Sequence, residues 1–236
     1  MGHRELFLTL AIGLPAISAL GGAWVGAGWI WDAANAAGFI GAALLIYLHA
    51  ETGAARNRPA GHAAFYARLH NNVALLALVF VLVHVVVLLI DDPTTFEYWK
   101  LPAPLYMLAG IVAVVLMAVI TATAYTKPRR LLFVTPARFR RIHGFASLVL
   151  TVLVAWHIAG SALYFDTVLK AVTCIAALVV LPAWWVRRSG MQTRPVSAEP
   201  PRSALEARRE TLRLGAVGLS IAIAFSLLRN LPSLLR

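Results

Sequence analysis

Apolar runs of about 20 residues, repeated along the whole chain, leave few folds open. They cover residues 6–31, 33–50, 69–90, 101–125, 143–165 and 168–186, with a shorter seventh at 214–228. Inside lipid every backbone polar group must be paired within the protein, which restricts spanning structures to helices and closed barrels. Barrel strands read as short alternating segments between turn residues, and no such alternation is evident. The expectation is an all-α membrane protein. Residues 1–186 would form a six-helix transmembrane bundle, 187–213 a basic cytoplasmic linker, and 214–236 a C-terminal apolar helix that spans the membrane or lies in its interface. Composition agrees: 60% of the 236 residues are hydrophobic and 13% charged, and mean hydropathy is +0.76. The first run is too long for a cleaved signal peptide, and no small-residue cleavage site follows it, so it is expected to be retained.

A net charge of +11 raises nucleic acid as a partner, but the distribution of charge excludes it. Lys127, Arg129, Arg130, Arg138, Arg140 and Arg141 crowd the loop after the fourth run. Arg56, Arg58 and Arg68 follow the second, and Arg187, Arg188, Arg194, Arg202, Arg208 and Arg209 follow the sixth. The intervening loops are acidic or neutral, as at Asp91, Asp92 and Glu97. This is the positive-inside pattern, with the N-terminus cytoplasmic. The same cations would meet anionic lipid headgroups.

Within the runs, four histidines stand out. His70 and His84 lie 14 residues apart in the third run, and His143 and His157 lie 14 apart in the fifth. Fourteen helical residues turn through ~1400°, about 40° short of four turns, and rise ~21 Å. Each pair therefore shares one helix face. The charge rule makes the two helices parallel, so His70 and His143 share a depth near the cytoplasmic side, and His84 and His157 share one ~21 Å further out, within a ~30 Å hydrocarbon core. Ionisable side chains at such depth mark function. Two imidazoles at one level suit the axial positions of a haem iron, and two levels make two haems of b type. A transmembrane path for zinc or iron would want carboxylates beside the imidazoles, and none of the ten acidic residues lies deep in these helices.

Other residues fit such a pocket less specifically. Arg68, Arg140 and Arg141 precede the inner histidines, where an arginine fork would meet a haem propionate. Gly144 and Gly160 flank the second pair and would let a flat macrocycle approach the backbone. His49, beside Glu51, reads as an interfacial residue, an alternative ligand or a proton relay. His62, in a basic loop, and His3 are expected to be solvated. Gly22 and Gly26 form a small-xxx-small packing pattern, and Trp184 and Trp185 an aromatic belt. The one cysteine, Cys174, excludes disulfides and iron–sulfur clusters within the chain. Ser203 and Glu206 have the spacing of a capping box.

The stretch from Pro136 through Arg138, Arg140, Arg141 and His143 to His157, with Arg68, His70 and His84 in the third run, resembles the ferric reductase-like transmembrane superfamily. That group includes ferric reductases, NADPH oxidases and the haem-binding membrane subunit of bacterial methionine sulfoxide reductase. The resemblance covers roughly residues 6–186. It implies an inner haem on His70 and His143 and an outer one on His84 and His157. It also implies electron flow across a bacterial-type inner membrane from a cytoplasmic flavoprotein or quinol to ferric iron, oxygen or a periplasmic partner protein. Large members carry their own flavin and nicotinamide domains. Here no glycine-rich nucleotide fingerprint follows the sixth run, so the flavin is expected on a partner or at the cytoplasmic face. Cytochrome b subunits of quinol-oxidising complexes also use paired histidines, but on the second and fourth helices rather than the third and fifth. The readings carried forward are a di-haem electron-transfer protein, a quinol-linked cytochrome b subunit and a histidine-lined metal transporter.

Overall fold

The computed structural model describes residues 12, 19, 28–55, 60–100, 102–125, 129, 131–133, 135–180, 182–184 and 203–234. The expected first span lies mostly outside these residues, as do Gly22, Gly26 and the greater part of the linker. The described residues form helices joined by short connections, without strands. They comprise α1 (Trp29–Ala55), α2 (Ala60–Asp91), a 3-10 turn (Pro93–Trp99), α3 (Leu105–Ala124), α4 (Pro136–Gly160), α5 (Val168–Ile175) continued by a π turn (Ala176–Val180), and α6 (Ala204–Leu234). Helices α1 to α5 correspond to the second to sixth apolar runs. Five helices (α1, α2, α3, α4 and α6) are long and apolar enough to cross a membrane.

Local chemistry fixes the helix starts. Thr135 accepts from the Arg138 amide with Pro136 in the first turn of α4, and Thr167 accepts from the Lys170 amide at the start of α5. Each side chain satisfies an amide that the helix itself leaves unpaired. Asp92 does the same for the 3-10 turn, accepting from the Thr94 amide at 3.0 Å. At α6 the capping box forms: the Ser203 amide donates to a Glu206 carboxylate oxygen, and the Glu206 amide donates to Ser203 Oγ at 3.2 Å.

Packing puts α1 at the centre. Of its apolar stretch 67% is buried, against 11% for α2 and 17% for α4. Its many alanines and glycines allow close approach, the usual device where lipid removes the hydrophobic drive between helices. A Cβ on Gly41 would stand 2.6 Å from the Val81 side chain of α2, so the two helices touch there. Elsewhere α3 packs on α4, and α6 lies over α1 and α2. Gly218 of α6 sits against Ile40 and Phe80, and Gly215 against Leu76. The outward faces carry exposed rows such as Val79, Val83 and Val86 on α2 and Val112, Val115 and Val119 on α3. A water-facing patch of that extent would aggregate; in a bilayer it is the lipid face. The chain is a multi-pass membrane protein.

Contacts also set direction. Tyr106, at the start of α3, touches His157 near the end of α4, and Ala34, early in α1, touches His84 late in α2. Thus α1 and α3 run opposite to α2 and α4. The end of α6 meets the start of α1 through Asn230 and Asp32, so α6, ~46 Å long, runs in the same direction as α2. Its length is twice that of the apolar run seen in sequence, because α6 begins at the capping box and continues past Arg229.

Candidate cofactor site

The four histidines of α2 and α4 come together as two pairs. The ring centres of His70 and His143 are 6.0 Å apart, and those of His84 and His157 are 6.3 Å apart. Between the levels, seven residues from each histidine, lie Ala77 on α2 and Leu150 on α4, 0% and 3% exposed.

The outer pair is held by backbone. His84 Nδ1 donates to the Ala34 carbonyl and His157 Nδ1 to the Tyr106 carbonyl, both at 3.0 Å. A carbonyl can only accept, so each Nδ1 carries the proton and each Nε2 is left as the basic nitrogen. Both imidazoles lie on the wall of a cavity of about 340 Å³. Its lower part is aliphatic, with Leu45, Met117 and Leu150, and its outer part is aromatic, with Trp31, Tyr98, Trp99, Tyr106 and Tyr164. Among the described residues no Asp, Glu, Lys or Arg lines it.

Two glycines make these contacts sterically feasible. A Cβ on Gly38 of α1 would fall 3.0 Å from His84 Nδ1, and one on Gly110 of α3 would fall 2.6 Å from His157 Nδ1. The glycines weighed in the sequence do other things. Around Gly144 there is open space, and Gly160 packs against Tyr106. Sequence reading therefore missed Gly38 and Gly110. The available signal was an offset: Gly38 and Gly110 are 72 residues apart, and the histidine pairs repeat at 73.

The inner pair is built differently. His143 Nδ1 is buried without a hydrogen-bond partner, and the Phe139 ring stands 5.1 Å from the His143 ring. Arg129 lies over the same Phe139 ring, 5.5 Å from its centre. Arg68, Arg140 and Arg141 are exposed at this end of the bundle and make no ion pair among the described residues. His49 is not free at the interface. Its Nε2 donates to Thr151 Oγ1 at 2.9 Å, because the Thr151 hydroxyl donates onward to the Ser147 carbonyl at 2.8 Å. Ser147 Oγ in turn donates to the His143 carbonyl at 2.7 Å. His49 thus ties α1 to the helix that carries the inner ligand candidate. His62, expected in solvent, is 4% exposed instead, since α2 begins at Ala60 and turns it into the bundle.

A charged cluster at the outer end was also missed. Asp32 and Arg229 are 2% and 3% exposed. Asp32 accepts from the Tyr164 hydroxyl at 2.7 Å and from Asn230 Nδ2 at 2.9 Å, with Arg229 Nε 3.7 Å away. Burial, reinforced by the bond to Asp32, pushes the Tyr164 hydroxyl above the usual phenol range, so it stays a donor. Tyr164 also lines the cavity, which links the cluster to the outer pair.

Residues 36–155 match a family model described as ferric reductase like transmembrane component. The matched segment holds His70, His84 and His143 and stops two residues short of His157. No curated protein and no solved structure matches the chain.

Proposed function

Because the chain belongs to the ferric reductase-like transmembrane family, we propose that it is a di-haem b-type cytochrome of a bacterial-type inner membrane. It takes electrons from a cytoplasmic flavoprotein or a quinol and passes them to an acceptor outside: ferric iron, oxygen or a periplasmic reductase partner. The ring separation carries this reading. An imidazole nitrogen binds a metal at about 2.0–2.1 Å and lies ~1.1 Å from its ring centre, so two imidazoles that would hold one metal have centres up to ~6.3 Å apart. At both levels the ring centres, 6.0 and 6.3 Å apart, lie within that reach. The donor set fits as well. A ligating histidine usually gives its other N–H to a carbonyl, which fixes the tautomer and strengthens the ligand, and His84 and His157 do so.

Haem iron supplies one-electron chemistry when bound. The protein's part is to hold and shield. His70 and His143 would bind the inner group and His84 and His157 the outer. Ala77 and Leu150 close the space between them to water. Arg68, Arg140 and Arg141 would neutralise propionates at the cytoplasmic end, where the N-terminus also lies, and a flavin would sit on the donor or at that face. A metal transporter is less supported: among the described residues no three His, Cys, Asp or Glu side chains gather into a metal site. The test is the reduced-minus-oxidised spectrum of the purified protein with haem counted per chain. The expected result is a b-type spectrum and two haems per chain. A colourless wild-type protein would sink the proposal, and bound metal without that spectrum would point to the transporter.

A further inference from the structure

The two outer histidines are seated by one device used twice. In α1, Ala34 offers its carbonyl and Gly38 follows four residues later; in α3, Tyr106 offers its carbonyl and Gly110 follows four later. Within a helix the carbonyl of residue i already accepts from the amide of i+4, but it keeps a second lone pair. The side chain at i+4 leans toward the helix N-terminus and covers that lone pair. Glycine uncovers it. The imidazole then lies on the bare backbone, which explains why an added Cβ meets Nδ1, Cγ and Cε1 of the ring together at both positions.

We infer that Gly38 and Gly110 are positioning residues that set the ligand strength of the outer imidazoles. Among the described residues no such seat is present at the inner level, where His143 Nδ1 is buried and unpartnered. The inference rests on the outer haem proposed above. A proton held by a carbonyl makes the imidazole a stronger donor, and a stronger donor favours ferric over ferrous iron. An alanine at either glycine pushes the ring off its carbonyl and weakens that preference.

The experiment is a redox titration of Gly38→Ala, Gly110→Ala and Gly144→Ala, with haem counted per chain. Both seat variants should keep two haems and raise the outer potential, by roughly tenfold in the ferric/ferrous equilibrium or about 59 mV for one electron. The inner potential should not move. Gly110→Ala should shift further than Gly38→Ala, since its contact is 2.6 Å rather than 3.0 Å. Gly144→Ala, beside an inner histidine but facing open space, should shift neither. If Gly110→Ala yields no stable protein, Gly38→Ala carries the test, because a few tenths of an ångström relieve its contact. Two haems with an unmoved outer potential in the seat variants would overturn the inference and leave the di-haem reading standing. Equal movement of both potentials would overturn it too, as a general packing effect. A haemless wild type would sink the reading beneath it.

Discussion

Replacing His84 with alanine is expected to halve the haem content, from two per chain to one, and His157→Ala to do the same. The two levels are separated by ~21 Å of helix and by the buried layer of Ala77 and Leu150. Loss at one level therefore leaves the other intact. What goes is one of the two imidazoles that would hold the haem, together with its bond to a carbonyl, and the hydrogen-bond partners of such ligands alone matter 10–100-fold in affinity. The fold itself should survive, because His84 contributes one part-buried hydrogen bond to Ala34, worth about 1 kcal/mol. His70→Ala and His143→Ala should remove the other haem instead. The check is haem per chain together with the count of redox transitions in each variant. If His84→Ala keeps two haems and an unaltered spectrum, the outer pair is not a ligand pair.

The pairs themselves were legible because they lie within single helices. A separation of 14 on one helix is fixed by helical geometry, and the charge of the loops makes the two helices parallel. The seats were not legible, because their parts lie on different helices. Gly38 and Gly110 are 46 and 47 residues from the histidines they support, and glycine in a membrane helix is common enough to carry no signal of its own. Proximity in sequence pointed to Gly144 and Gly160, where an added Cβ would meet no histidine from another helix. In the sequence Asp32 falls between the apolar runs 6–31 and 33–50. Its partners Tyr164 and Asn230 are 132 and 198 residues away, and only the packing of separate helices brings them together. The length of α6 was hidden for a related reason. Basic residues at its start and Arg229 near its end interrupt the apolar run, although Arg229 is buried against Asp32 and lies 5.0 Å from the Tyr164 ring centre.

That pairing carries the second large effect. Asp32→Ala would remove the carboxylate that faces the buried Arg229 guanidinium, and removing one partner of a buried ion pair costs about 3–5 kcal/mol. Against a total stability of about 5–15 kcal/mol, this should lower the thermal midpoint of the detergent-solubilised protein sharply. Arg229→Met should cost less. The carboxylate would keep the Tyr164 hydroxyl and Asn230 as donors. The double variant Asp32→Ala with Arg229→Met removes both charges, and an apolar replacement of a buried pair is often neutral. It should recover most of what Asp32→Ala loses, giving a coupling energy well above the ~0.3–0.5 kcal/mol scatter of independent sites. A double variant as unstable as the sum of the singles would show that α6 is held by its apolar contacts with Ile40, Leu76 and Phe80, and that the ion pair contributes nothing to its docking. Because Tyr164 borders the cavity of the outer histidines, the same series read by haem content separates the two jobs of the cluster. Destabilisation with both haems retained assigns it to anchoring α6. Selective loss of the outer haem assigns it to the cavity wall.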